Sequence, residues 1–156
     1  MAMILNHLRT SPPPRVDARF LAHVANATGS TGASAIAQLP LDPVQYLALA
    51  IDAAAPLVRV RGLKKLAGGG KNLDIPVPLK ERQRRRAAVA WILEAVERRP
   101  SRGSGRRMFA ARFADEVVAV AEGRSGVWQK RAALHRLATA SRANLSAPQL
   151  GRWRLR

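Results

Sequence analysis

The chain has 156 residues, no cysteine, and 27 Lys and Arg against 10 Asp and Glu, for a formal charge of +17. Without thiols there are no disulfides, no thiolate metal ligands and no cysteine nucleophile, and charge, Pro or Gly interrupts every apolar run well short of the roughly 20 residues of a membrane span. The length fits one domain with a modest core, and an apolar content carried largely by Ala with few aromatics points to a mainly α protein whose helices touch through small side chains.

In chain order, "MAMILNHLR" places Met1, Leu5 and Leu8 at helical spacing, and Pro12, Pro13 and Pro14 end the helix by removing donors and blocking helical backbone before them. Residues 10–40, rich in Ser, Thr, Gly and Ala ("ANATGSTGASAIAQ"), read as a linking loop with at most a weak helical turn over Phe20 to Ala25. "DPVQYLALAIDAAA", Asp42 to Ala55, opens with an N-cap Asp and Pro at the first helical position and repeats apolar residues at Val44, Leu47, Ala48 and Ile51. "LVRVR" from Leu57 and "LDIPV" from Leu73 both alternate, so residues 57–78 read as a two-stranded β-ribbon with Gly68, Gly69 and Gly70 at its tip. Pro76 fits only an edge position, which predicts a ribbon that projects instead of joining a larger sheet.

A three-helix basic body is expected over residues 79–145. The first helix, 79–99, turns Ala88, Val89, Ile92, Leu93 and Val96 inward. "PSRGSGR" breaks the chain. Helices over Met108–Glu122 and Val127–Asn144 follow, with Phe109, Phe113, Val117 and Val120, then Leu134, Leu137 and Ala138, on their buried faces. Residues 146–156 have no periodicity and read as an irregular tail. The expected fold is a helical bundle domain, residues 1–156, with one projecting two-stranded β-ribbon.

The charge is uneven. Residues 1–56 are neutral, with Arg9, Arg15 and Arg19 against Asp17, Asp42 and Asp52, so the whole +17 lies after Pro56. A polyanion relieves such self-repulsion and releases counterions on binding, which makes nucleic acid the leading partner class.

Gly68-Gly69-Gly70-Lys71 invites comparison with a phosphate-binding loop, but that loop needs GxxxxGK[ST] between a strand and a helix, and here Asn72 follows Lys71. A pliant ribbon tip bearing Lys64, Lys65 and Lys71 is the better reading. "RQRRR", Arg82 to Arg86, opens a helix where the macrodipole favours acids, so its compensation is expected from outside the chain, as phosphate at guanidinium forks and helix amides. A solvated face is the plain alternative. His7, His23 and His135 lack ligand spacing and suggest packing or hydrogen bonding instead of a metal site. Glu94, Glu97, Asp115 and Glu116 sit among arginines, where ion pairs explain them and no catalysis is assigned. Trp91 reads as core, whereas Trp128 and Trp153, beside basic residues, suit either base stacking or surface cover.

Taken in order, the basic ribbon, the Arg-headed helix with Trp91 and the closing "KRAALHRLATASRANL" resemble the small-subunit ribosomal protein seven family over roughly residues 42–145. The matching positions are Pro56, Val58, Val60, Lys64, Lys65, Gly68, Gly69 and "IPV" at 75–77, then Arg84, Trp91, Glu94, Ala95, Arg98 and Arg99. Further on they are Arg112, Ala114, Glu116, "KR" at 130–131, "HR" at 135–136 and "RA" at 142–143. "RQRRRAA" and "EGRSGVWQKR" look like the fungal mitochondrial branch. The resemblance implies a non-enzymatic structural protein of the mitochondrial small subunit. It would bind the 3′ major domain of small-subunit rRNA and help organise the head beside neighbouring head proteins, near the mRNA exit path and exit-site tRNA. It implies no cofactor, no small-molecule substrate and no membrane partner.

By position, Lys80, Arg82, Arg84, Arg85, Arg86, Lys130, Arg131, Arg136 and Arg142 would face rRNA, and the ribbon residues Arg59, Arg61, Lys64, Lys65 and Lys71 would approach tRNA or mRNA. The departures are a slightly longer ribbon, the insertion "PSRGSGR" and Gln83 in place of a paired arginine, which moves that contact to Arg82, Arg85 or Arg86. The family's opening helix and its "DGKK"-like segment are also missing, so the chain reads as starting partway into the next helix, with no readable transit peptide. A free-standing basic DNA- or RNA-binding factor is the alternative reading.

Overall fold

The structure, a computed structural model, describes residues 2–10, 15–28, 42–63, 72–100 and 107–146. Its elements run α1 (Ala2–Thr10), α2 (Ala18–Thr28), α3 (Pro43–Ala54), β1 (Val58–Leu63), β2 (Leu73–Pro78), α4 (Glu81–Arg98), α5 (Arg107–Ala121), α6 (Gly126–Ala140) and a 3₁₀ segment, Ser141–Ser146. This is the expected mainly helical architecture with one two-stranded antiparallel ribbon.

The linker reading of residues 10–40 is corrected by α2. Phe20 and Val24, one turn apart on that helix, are both fully buried and join the main core with Leu47, Ile92, Val96 and Val120. Polar, small residues dilute the periodicity around them, yet two large apolar side chains suffice to dock the helix. Truncating a buried Phe typically costs about 3 to 5 kcal/mol, more than a connecting loop would register. Residues 11–14 and 29–41 lie outside the described residues.

The start of α3 is as expected. Asp42 caps it, with the Val44 N–H donating to Oδ1 at 3.1 Å, and Pro43 sits at the first helical position, where its missing donor is not needed. Its buried face is rotated from expectation. Leu47, Ala50, Ala53 and Ala54 point inward, while Val44 is 55% exposed. Similar offsets put Leu93, Phe109 and Leu137 on the surface and Ala110 and Ala114 inside, whereas Ala138 is buried as expected. The cause is common to all: alanine lets helices approach closely, so the small residue takes the contact and the larger one is displaced to the rim.

The ribbon pairs Val58 with Pro78 through Leu63 with Leu73, so both strands run slightly further than their alternation suggested. Both are edge strands, and the donor missing at Pro76, opposite Val60, breaks no larger ladder. The ribbon's base is tied to the helical body. The Leu57 N–H donates to His135 Nε2 at 3.1 Å, and the Asn144 side-chain amide donates to the Asp74 carbonyl at 2.7 Å. The tip, residues 64–71 with its three glycines, lies outside the described residues, as do the insertion at 101–106 and the tail from 147.

Helix α5 ends in a Schellman motif: the Gly123 N–H donates to the Val120 carbonyl and the Arg124 N–H to that of Ala119. Gly123 has φ +72°, and a Cβ there would lie 2.0 Å from Asp17 Oδ2. Asp17 itself approaches because its N–H donates to the Ala121 carbonyl at 2.9 Å, which brings the start of α2 onto the end of α5. Gly123→Ala should therefore destabilise the chain by about 1 to 2 kcal/mol from left-handed backbone alone, and by more if Asp17 is displaced. Gly126→Ala, whose added Cβ meets nothing within 4 Å, should not. Thermal unfolding of the two variants checks the contrast; equal midpoints would contradict it.

Candidate nucleic-acid interface

The arginine run at the head of α4 divides by helical position. Arg85 turns toward α3 and makes a bidentate pair with Asp52, Nε to Oδ1 at 2.6 Å and Nη2 to Oδ2 at 2.7 Å, with Glu81 at 2.8 Å from Nη1. For Arg85 the compensation is internal, where it was expected from outside the chain. The hydrogen bond from Arg85 holds the Asp52 carboxyl below its ordinary range despite partial burial. Lys80, Arg82 and Arg86 are exposed, and Arg82 and Arg86 lie one turn apart. Gln83, the departure from the family pattern, accepts the Lys80 backbone N–H at 3.2 Å and so braces the start of the helix.

Arg84 points between these directions, toward α6. It is half-buried, and its Nε is buried with no hydrogen-bond partner. Its neighbour there is Arg131, whose Nε donates to the Ala55 carbonyl at 3.2 Å and whose guanidinium lies 5.7 Å from the centroid of the Trp128 ring. Burial lowers the proton affinity of Arg131, and the Arg84 charge lowers it further. No carboxylate among the described residues pairs with either one.

Two imidazoles complete the cluster. His135 lies one turn beyond Arg131 and accepts the Leu57 N–H, which requires Nε2 to be unprotonated. Burial first, then Arg131 and Arg84, push its pKa down. His23, on α2, is lowered by burial and by the same two arginines, partly offset by Asp52. Neither histidine signals this in the sequence, because Arg84, Arg131 and His23 meet only once three helices pack.

The remaining candidates separate further. Lys130 is paired with Glu94, which also holds Arg98 at 2.6 Å from Nη2; these bonds, the Lys130 one foremost, keep the Glu94 carboxyl below its ordinary range. Arg136, Arg142 and Arg59 are exposed, as is Arg61 on the same strand as Arg59. Lys64, Lys65 and Lys71 lie outside the described residues, so their position is open. Trp128 is corrected to core: it is 5% exposed and its indole N–H donates to the Val120 carbonyl at 2.9 Å. Trp91, expected in the core, is only half-buried, and Trp153 lies outside the described residues. Glu116 forms an ion pair with Arg99, and Asp115 Oδ1 lies 3.4 Å from His7 Nε2. Among the described residues no group of three or more His, Cys, Asp or Glu could hold a metal ion, and no helix is long and apolar enough to cross a membrane.

The model of the family described as ribosomal protein S7p/S5e matches residues 15–142. The small ribosomal subunit protein uS7m of Neurospora crassa is 54% identical over 150 residues, 96% of this chain and 46% of that protein. The uS7 protein of Thiobacillus denitrificans is 34% identical over 102 residues, 65% of this chain and 60% of that one. The uS7 protein of Halorhodospira halophila is 28% identical over 144 residues, covering 85% and 88%. This chain thus spans less than half the length of its Neurospora relative.

The histidine environment carries a stability prediction. Both imidazoles bind a proton more readily in the unfolded chain, so the stability tied to their neutral forms is fully present above the ordinary value of 6.5. It is lost as the pH falls through 6.5 toward the lower folded values. An NMR titration should give midpoints below 6.5 for His23 and His135, with the unfolding temperature level at pH 7 to 8 and declining beneath. Midpoints at or above 6.5 would refute the cationic surroundings described for them.

Proposed function

The chain belongs to the ribosomal protein S7p/S5e family, and from that premise we propose that it is a structural constituent of the mitochondrial small ribosomal subunit that binds the 3′ major domain of the small-subunit rRNA. It has no enzymatic role in this reading. It neutralises phosphates, fits the shape of the folded RNA and helps organise the subunit head beside neighbouring head proteins. The ribbon, with Arg59, Arg61, Lys64, Lys65 and Lys71, lies toward exit-site tRNA and the mRNA exit path. The organellar assignment is supported by the 54% identity with the protein called uS7m, along nearly the whole chain.

The observation that carries the reading is the Arg84–Arg131 cluster. A buried guanidinium nitrogen without a partner is costly, and two guanidinium groups in mutual repulsion make the cost larger. A phosphate oxygen between them removes both penalties, and guanidinium forks suit that geometry. Arg82, Arg86, Lys80, Arg136 and Arg142, exposed on the same two helices and their flanks, extend the contact along the backbone. Arg85 and Lys130, already satisfied within the chain, contribute through the field more than through direct contact.

Binding to a transcript of the 3′ major domain tests this. If about six to ten phosphates are contacted, raising salt from 50 to 200 mM should cost roughly three to five decades of affinity. Arg84→Ala should weaken binding and reduce the salt slope by about one without lowering the unfolding temperature, whereas Arg131→Ala should weaken binding and also cost stability, because the buried Ala55 carbonyl loses its donor. Arg85→Ala should lower the unfolding temperature and change affinity less. Equal affinity for an unrelated duplex, with no co-sedimentation with the small subunit, would instead identify a free-standing basic nucleic-acid-binding factor.

A further inference from the structure

A second concavity lies away from the Arg84–Arg131 cluster, where the C-terminal end of α4 meets the α5–α6 turn and the start of α6. It encloses about 510 Å³, within the range of roughly 300 to 1,000 Å³ typical of sites for single small molecules. One wall is apolar: Trp91, half-buried on α4, with Ala95 and Val127 beside it. The buried floor is the Glu116 carboxylate, which is fully occupied. Its Oε1 accepts the Ser125 hydroxyl at 2.6 Å and its Oε2 accepts Arg99. An anion entering the cavity therefore meets a neutralised acid.

The rim is cationic. Arg98 and Arg124 line it with side chains 70% and 72% exposed. Each is engaged by a single carboxylate, Glu94 for Arg98 and Glu122 for Arg124, and a guanidinium has five donors, so both retain N–H groups for a further acceptor. Gln129 is exposed on α6 at the same opening and offers one amide donor group and one acceptor.

An aromatic wall, a neutral polar floor, an amide at the mouth and cations on the rim match one RNA residue class: a nucleotide whose base has left its stack. Single-stranded RNA is recognised in this way, by aromatic stacking combined with hydrogen bonds to base edges. A regular helical segment of RNA or protein is too wide for the volume. We propose that this cavity receives one unstacked base of the bound rRNA, held against Trp91 and read at its edge by Gln129, with its flanking phosphates at Arg98 and Arg124. This rests on the rRNA-binding reading above and assigns to it a contact that depends on a base instead of on phosphate alone.

The test measures affinity of the full chain for the 3′ major domain transcript across a salt series. Trp91→Ala should weaken binding by roughly tenfold with an unchanged salt slope, because stacking and not charge is lost. Trp91→Phe should stay within about threefold of the wild type, and Gln129→Ala, an exposed position that leaves the fold intact, should weaken binding measurably. Arg98→Ala with Arg124→Ala should instead reduce the salt slope. If Trp91→Ala fails to fold, Gln129→Ala and Trp91→Phe still decide the matter. Wild-type affinity in Gln129→Ala and Trp91→Ala, with Arg84→Ala still impaired, would overturn the base site and leave the rRNA reading standing. Unchanged RNA affinity with loss of Trp91→Ala protein from assembled subunits would assign the cavity to a neighbouring protein's side chain, which also overturns it. A wild-type chain that does not bind the transcript at all removes the premise itself.

Discussion

Arg84 on α4 and Arg131 on α6 are both half-buried, burial and the Arg84 charge lower the proton affinity of Arg131, and no carboxylate among the described residues pairs with either. That arrangement is held by the packing around it. Ala54, Ala88 and Trp128, from α3, α4 and α6, belong to one buried core cluster. Two half-buried guanidinium groups without a carboxylate partner carry an electrostatic cost. The full charge of +17 is the same constraint at the scale of the chain.

A division of labour follows within a single run of arginines. Asp52, the last acidic residue of the neutral first third, captures Arg85 and fastens α3 to α4. Arg84, one residue earlier and 100° around the helix, is denied such a partner. On the opposite side of the bundle, Glu94 captures Lys130 and Arg98 together, and Glu116 captures Arg99. Acidic residues are few, and where they occur they set which cations are structural.

Much of this was legible in the residues themselves. The Asp42–Pro43 start of α3, the alternation of the ribbon and the long apolar stripe of α4 are local signals, written within one or two turns. The family pattern was carried by dispersed basic positions, of which Arg84 and Arg98 fall on α4 and Lys130, Arg131 and Arg136 on α6, as expected. What could not be read depends on contacts between elements. Phe20 and Val24 become core only through other elements: Phe20 meets the Tyr46 ring of α3, and both join the buried cluster. Trp128 is buried because its indole finds the Val120 carbonyl eight residues away, across the α5–α6 turn. The pairing of Arg85 with Asp52 spans 33 residues, so helical position alone could not separate Arg85 from Arg84. Alanine-rich packing blurs the periodic signal further, since the residue that touches the core is often the smallest one on the face.

The account turns on an anion settling between Arg84 and Arg131, and His23 and His135 report on that event without being altered. Their midpoints should be measured by NMR in the free chain and in complex with the 3′ major domain transcript. Burial is the larger cause of the depression of both imidazoles, and a phosphate placed among the two arginines cancels the part that their charges add, so both midpoints should rise on binding. Midpoints that stay where they are in the free chain, or fall, would contradict the claim that this cluster is where the chain meets its nucleic acid.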